Sequence, residues 1–143
     1  MRVQYLHSGL MKTYNSTGRL KLNPEKEGLP VGAWWLIVEC CTDLGRYYRA
    51  MLNRYHLGAF KVQKPAWDAH ISVIRGEEPT NKALWDKLDG TAVEFSYEDR
   101  LLTNDRHYWL PVRCDTVLDL REELGLPRNP TLDLHLTVAI RPE

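Results

Sequence analysis

"AHISVIRG" (residues 69–76) and "LHLTVAIR" (residues 134–141) carry the same frame: a histidine, an apolar residue, a hydroxyl residue and another apolar residue. In a strand, side chains at i and i+2 share a face. His70 and Ser72 therefore project together, and Ile71 and Val73 turn the other way, into a core. His135 and Thr137 repeat this arrangement, backed by Leu136 and Val138. If the two strands lie side by side, or face each other across a groove, two imidazoles and two hydroxyls converge. In a chain of this composition, two such frames arise by chance in on the order of one case in several hundred.

Around these frames the chain has the make-up of one compact domain. It has 143 residues, 43% of them hydrophobic and 27% charged, which is ordinary for a globular core with a solvated surface. Nineteen basic and nineteen acidic residues cancel, so no net field draws the protein to long nucleic acid or to a membrane surface. No apolar run approaches the roughly 20 residues of a membrane span. The start, "MRVQYLHSGLMKTYNS", lacks the apolar stretch of a signal peptide. A cytoplasmic protein is expected. Cys40, Cys41 and Cys114 include no C-x-x-C, and adjacent cysteines on a strand diverge, so they read as reduced thiols.

Residues 1–32 are rich in turn formers and read as an N-terminal arm or lid, with the main domain at 33–143. "AWWLIVEC" (33–40) is an apolar run of strand length. Thr42 opens a helix with Leu44, Tyr47, Tyr48, Met51 and Tyr55 at helical spacing, stopped by Gly58. "FKVQKPAWDAHISVI" (60–74) reads as extended, and Thr80 caps a short helix with Leu84, Trp85 and Leu88. "TAVEFSY" (91–97) and "RHYWLPVRC" (106–114) alternate as two strands of a hairpin. Thr116 opens a helix with Val117, Leu120 and Leu124 on one face, ended by Gly125 and Pro127. "LDLHLTVAI" (132–140) is the last strand. The order β-α-β-α-β-β-α-β divides into two β/α lobes, with a histidine frame closing the final strand of each.

The convergent set suits phosphodiester cleavage. A base must deprotonate the attacking oxygen and an acid must protonate the leaving one. Histidine, titrating near pH 6.5, serves as either at neutral pH. Hydroxyls donate to the non-bridging phosphoryl oxygens, where charge accumulates. This chemistry needs no metal or other cofactor, and the sequence offers no dense Asp/His ligand cluster.

The doubled H-x-[ST]-x frame, about 65 residues apart, resembles the signature of the 2H phosphoesterase superfamily over residues 33–140. The resemblance implies an α+β bilobal fold, two β/α lobes whose antiparallel sheets flank a central groove. It places catalysis on His70 with Ser72 and on His135 with Thr137. Ser72 stands where threonine is commoner in that family. "YNSTGRLKLNP", "KPAWDAHISVIRGEEP", "YWLPVRC" and "REELGLPR" further resemble the phage branch, which includes Swiss-army-knife RNA-repair-like proteins and anti-CBASS nucleases. That branch implies metal-independent cleavage of 3′–5′ phosphodiesters in cyclic di- and trinucleotide defence signals, in the host cytoplasm.

Among the remaining residues, Trp67, three positions before His70, is a candidate for stacking on a base. Arg75 and Arg113 are candidate phosphate partners, and Trp109 shares a strand face with Arg113 and His107. Tyr14, in the arm, resembles a recurring residue of the phage branch. His7, His56 and His107 lack the frame and carry no expected catalytic role. Two other readings stay open. One is a 2′,3′-cyclic phosphodiesterase or 2′,5′ RNA-end-processing enzyme acting on short RNA-like substrates. The other is a non-catalytic nucleotide sponge.

Overall fold

The structure, a computed structural model, describes residues 4–5, 12–22, 34–57, 59–65, 67–104 and 106–142. His7, Gly58 and the junction at residues 32–33 lie outside them. The strands are β1 (Gln4–Tyr5), β2 (Thr13–Leu22), β3 (Trp35–Cys40), β4 (His70–Arg75), β5 (Ala92–Glu98), β6 (Leu102–Thr103), β7 (His107–Arg113) and β8 (His135–Ile140). Two helices intervene, α1 (Thr42–Tyr55) and α2 (Asp115–Glu123).

The chain does not form two lobes. Six antiparallel strands close into one barrel in the order β7-β5-β2-β3-β4-β8 and back to β7, with β6 and β1 continuing from the free part of the β7 edge. The expected α+β bilobal 2H fold is thus replaced by a mostly β barrel with two short helices. The pairings that close it are non-local. Strand β4 joins β8 only through His70↔Thr137 and Ile71↔Leu136, and β5 joins β7 only through Ser96↔Arg113 and Tyr97↔Val112. Local periodicity carries no information about such seams.

Strand β2 is the second departure. Thr13–Leu22, expected to belong to an arm, pairs with β3 along one edge and β5 along the other. Its Asn, Ser and Gly residues read as loop formers, yet Gly18 and Leu20 alternate toward the buried side. Gly18 sits level with both Cys40 and Val93. A Cβ there would meet Val38 Cγ1 at 2.5 Å and the Glu39 carbonyl oxygen at 2.7 Å. Gly18→Ala is therefore expected to destabilise the barrel by about 1–3 kcal/mol. Urea denaturation checks this, and an unchanged midpoint would contradict it.

The helices identify the two faces of the wall. A helix is about 10–12 Å across, too wide for the interior of a six-stranded barrel. Both helices must pack outside. Tyr48 and Leu52 of α1, and Val117 and Leu120 of α2, join Leu36, Val38, Ile71, Val73, Leu110, Leu136 and Val138 in the buried core. That core lies between the barrel's outer face and the helices. The inner face carries the alternate residues, and Arg19, Glu39 and Glu94 on it are exposed, so the interior opens to solvent.

Elsewhere the periodic segments form close to their expected places. Helix α2 begins at Asp115, and Gly125 follows it at φ 82°, the left-handed conformation that ends a helix. The expected helix after Thr80 shrinks to a 3-10 turn at Trp85–Lys87. Among the described residues of 60–69 there is no strand but a bridge from Gln63 to Ile140, because Pro65 and the bends at 67–69 interrupt the ladder. Consequently the histidine frames open strands β4 and β8 instead of closing them.

Candidate active site

The register of β4 against β8 brings the two frames together. Ile71 and Leu136 are Cα partners, so a local two-fold axis through them exchanges His70 with His135, Ser72 with Thr137 and Val73 with Val138. His70 faces Thr137 directly, and the same offset puts Ser72 level with His135. This register puts the four functional side chains on the inner face. The histidines occupy a diagonal, whose backbones lie about 7–8 Å apart in such a pair.

Both rings are held in the same way. His70 Nδ1 lies 2.8 Å from the Trp67 carbonyl oxygen, and His135 Nδ1 lies 2.8 Å from that of Asp133. A carbonyl only accepts, so each Nδ1 carries the proton and each Nε2 is left for chemistry. The cause is the position of each histidine as the first residue of its strand. The Ala69 and Leu134 carbonyls still bond across to the neighbouring strands, and the earlier ones, of Trp67 and Asp133, turn to the rings.

Burial holds the His70 imidazole below the ordinary histidine value, opposed by the Trp67 hydrogen bond and reinforced by the fields of His135 and Arg75. His70 is thus neutral at pH 7, with a lone pair on Nε2. His107 is also depressed, by burial and then by Arg106 and His135. His56 is depressed by burial and by Arg141.

The three shifts together make a statement about acid stability. Their folded-state values lie below the unfolded 6.5, so below about pH 6.5 the unfolded chain binds more protons than the folded one. Stability is expected to be full above that pH and to fall as pH drops through the folded values. Thermal unfolding at pH 7.5 and 5.5 measures this, and a higher midpoint at pH 5.5 would contradict it.

The remaining expected residues divide between the two faces. Trp109 is the partner of Thr137 and its ring centroid is 6.0 Å from that of His135, edge-on, so it walls the site. Trp67 is half-buried beside the His70 strand, with Lys21 Nζ 5.4 Å from its ring centroid. Arg75 reaches the inner face through a bulge. Val73 is an extra residue between the pairs Ile37↔Ser72 and Leu36↔Ile74, which shifts the alternation so that Arg75 partners Trp35 and stacks on its ring at 4.9 Å. Arg113 is exposed on the histidine face of β7, two residues beyond Pro111, the partner of His135. Tyr14 is not in the site. It projects from the opposite face of β2 and packs against Tyr97, ring centroids 5.8 Å apart.

Other residues of the site escaped the sequence reading. Glu39, the Cα partner of His70, is exposed on the inner face. It is the sole charge in "WLIVEC", an overlooked sign that one face of that strand is wet. Lys21 was hidden within the supposed arm. The frames are also longer than four residues, since "DAHISV" (68–73) matches "DLHLTV" (133–138) at an aspartate two places before each histidine and a valine three places after. Among the described residues, no three of His, Cys, Asp and Glu gather as a metal-ligand set. No described helix is long and apolar enough to cross a membrane. All three cysteines are free, Cys40 and Cys114 buried and Cys41 exposed.

Compared with protein families, with characterised proteins and with solved structures, the chain matches none.

Proposed function

We propose that the protein is a metal-independent phosphodiesterase in which His70 and His135 act as general base and general acid on one phosphorus atom. The observation that carries this reading is the local two-fold axis between the frames. In-line displacement at phosphorus has the same approximate symmetry, exchanging the attacking and leaving oxygens. In this proposal a phosphoryl group sits on that axis, with one imidazole serving each apical oxygen and Ser72 and Thr137 serving its equatorial ones.

The roles follow from the depressed His70 imidazole, which suits the base and leaves the acid's part to His135. Neutral His70 takes the proton from the attacking hydroxyl as the new O–P bond forms. His135, as imidazolium, gives its Nε2 proton to the leaving oxygen as the old P–O bond breaks, and its Nδ1–H stays on Asp133 throughout. Hydrogen bonds from Ser72 and Thr137 strengthen as negative charge collects on the non-bridging oxygens. Attack by a substrate 2′-hydroxyl gives a 2′,3′-cyclic phosphate and a free 5′-hydroxyl, and attack by water gives a linear phosphomonoester.

The substrate class proposed is a cyclic di- or trinucleotide of the kind used as a bacterial defence signal, acted on in the host cytoplasm as in the phage branch that the sequence resembles. Trp67 and Trp109 offer faces to bases, and Arg75 and Lys21 offer charge to a second phosphate. A formal net charge of +0 favours a compact anionic ligand over long RNA.

Incubation with cyclic dinucleotides, cyclic trinucleotides and 2′,3′-cyclic mononucleotides in EDTA, followed by mass analysis of products, tests the reading. A cyclic oligonucleotide should be linearised at undiminished rate in the chelator. Cleavage confined to 2′,3′-cyclic mononucleotides would move the substrate to RNA ends. Ligand released intact on denaturation would make the protein a sponge. Activity lost in EDTA and restored by a divalent ion would overturn the mechanism.

A further inference from the structure

We infer that Arg49 and Arg121 are positioning residues, each clamping the backbone of one histidine frame from a helix. The two frames share a bulge at their fourth residue. In β4 the extra residue is Val73, and in β8 it is Val138, between the pairs Trp109↔Thr137 and Tyr108↔Ala139. A bulge leaves a residue outside the regular ladder. Arg121 Nη1 donates to the Val73 carbonyl at 2.8 Å, and Arg49 Nη1 donates to the Val138 carbonyl at 2.8 Å.

The clamps run crosswise. Helix α1 precedes β4 in the chain but holds β8, whereas α2 precedes β8 but holds β4. Each guanidinium also grips a carboxylate on the β4 side. Arg121 pairs with Glu77 through two 2.8 Å bonds, and Arg49 pairs with Asp68 at 2.8 and 3.4 Å. Asp68 in turn accepts the Ala69 N–H at 2.8 Å, which fixes the turn whose Trp67 carbonyl orients His70. One guanidinium therefore ties both members of the His70–Thr137 pair, and the other holds the residue next to Ser72.

Two features set these arginines apart from ordinary surface cations. The Arg121 side chain is 1% exposed and that of Arg49 is 13% exposed, and buried ion pairs are seldom the most stabilising choice at such places. Gly45, in the interior of α1, makes room for one of them. A Cβ on Gly45 would fall 2.6 Å from Arg49 Nη1 and 2.6 Å from Asp68 Oδ1. A glycine there weakens the helix relative to alanine, and the space it leaves is filled by the ion pair.

The kinetic consequence rests on the two-histidine reading, and the effect on the histidine rings does not. The test uses the full chain as wild type, Arg49→Lys, Arg121→Lys and Gly45→Ala. Lysine keeps the charge but lacks the planar fork that reaches a carbonyl and a carboxylate together. Gly45→Ala disturbs the Arg49–Asp68 pair and retains both partners, so it serves if Arg49→Lys does not fold. On the phosphodiester that the wild type cleaves, well below each variant's unfolding temperature, kcat should fall roughly 10- to 100-fold with KM nearly unchanged. In ¹⁵N–¹H spectra of the imidazoles, the His70 Nδ1–H signal should shift or broaden in Arg49→Lys and Gly45→Ala. Variants that only melt earlier, with wild-type kcat and an unmoved His70 signal, would overturn the inference. If the wild type cleaves no phosphodiester, the proposed activity fails, and the His70 signal alone decides the positioning role.

Discussion

Replacing either histidine by alanine is expected to lower turnover of an unactivated phosphodiester by about 10²–10⁴-fold while leaving ligand binding nearly intact. The two losses should differ in kind. In the proposed mechanism His70, held neutral by burial, withdraws a proton from the nucleophile whatever the leaving group is. In the same mechanism His135 protonates the departing oxygen, which matters for a ribose alkoxide and hardly at all for 4-nitrophenolate. His70→Ala should therefore be slow on both a cyclic dinucleotide and a 4-nitrophenyl phosphodiester, whereas His135→Ala should recover most of its rate on the second. Both rings are half-buried, and each is hydrogen-bonded to a loop carbonyl and not to another strand, so the barrel should tolerate either change. Equal residual rates on both esters for both variants would contradict the division of labour.

Arg121→Ala is expected to destabilise the fold by about 3–5 kcal/mol, because removing one partner of a buried pair strands the other. Arg121 is 0% exposed and donates to Glu77, to the Val73 carbonyl and, through Nε, to the Pro127 carbonyl. Alanine leaves two backbone acceptors without their donor, and Glu77, whose side chain is 34% exposed, only partly regains water. For a domain of this size the melting temperature should fall by about 10–17 °C. Arg128 provides the contrast. It contacts three carboxylates, Asp115, Asp119 and Glu122, but at the surface, where solvent competes. Arg128→Ala should barely move the midpoint, even though it contacts three carboxylates where Arg121 contacts one. A midpoint for Arg121→Ala close to wild type would contradict the buried clamp.

How much of this was legible in the sequence depends on whether the determinant was local. The pairing of His70 with Ser72 and of His135 with Thr137 on one face follows from strand alternation, and the structure places them so. Helix α1 and strand β3 are equally local, carried by a periodic apolar stripe and an apolar run. Barrel closure is not. Nothing in "AHISVI" or "TAVEFSY" announces a two-pair seam with a distant strand. Strand β2 was missed because Asn15, Ser16 and Gly18 favour loops when judged alone, and only its two neighbours make it a strand. Bulges defeat parity counting, so the face on which Arg75 emerges depends on Val73, an ordinary valine in sequence. Arg121 follows Leu120 on a short helix, and no spacing rule marks it as buried. The matching aspartates at Asp68 and Asp133 were in plain view but lay outside the four-residue frame first read.

The measurement that bears most directly on two imidazoles serving one phosphorus is a titration of the ¹⁵N-labelled protein with a non-cleavable methylenephosphonate dinucleotide. The Nε2 resonances of His70 and His135 should move together along one binding curve, while both Nδ1–H signals persist on their loop carbonyls. Movement of one ring alone, or saturation of binding with neither ring responding, would contradict the account.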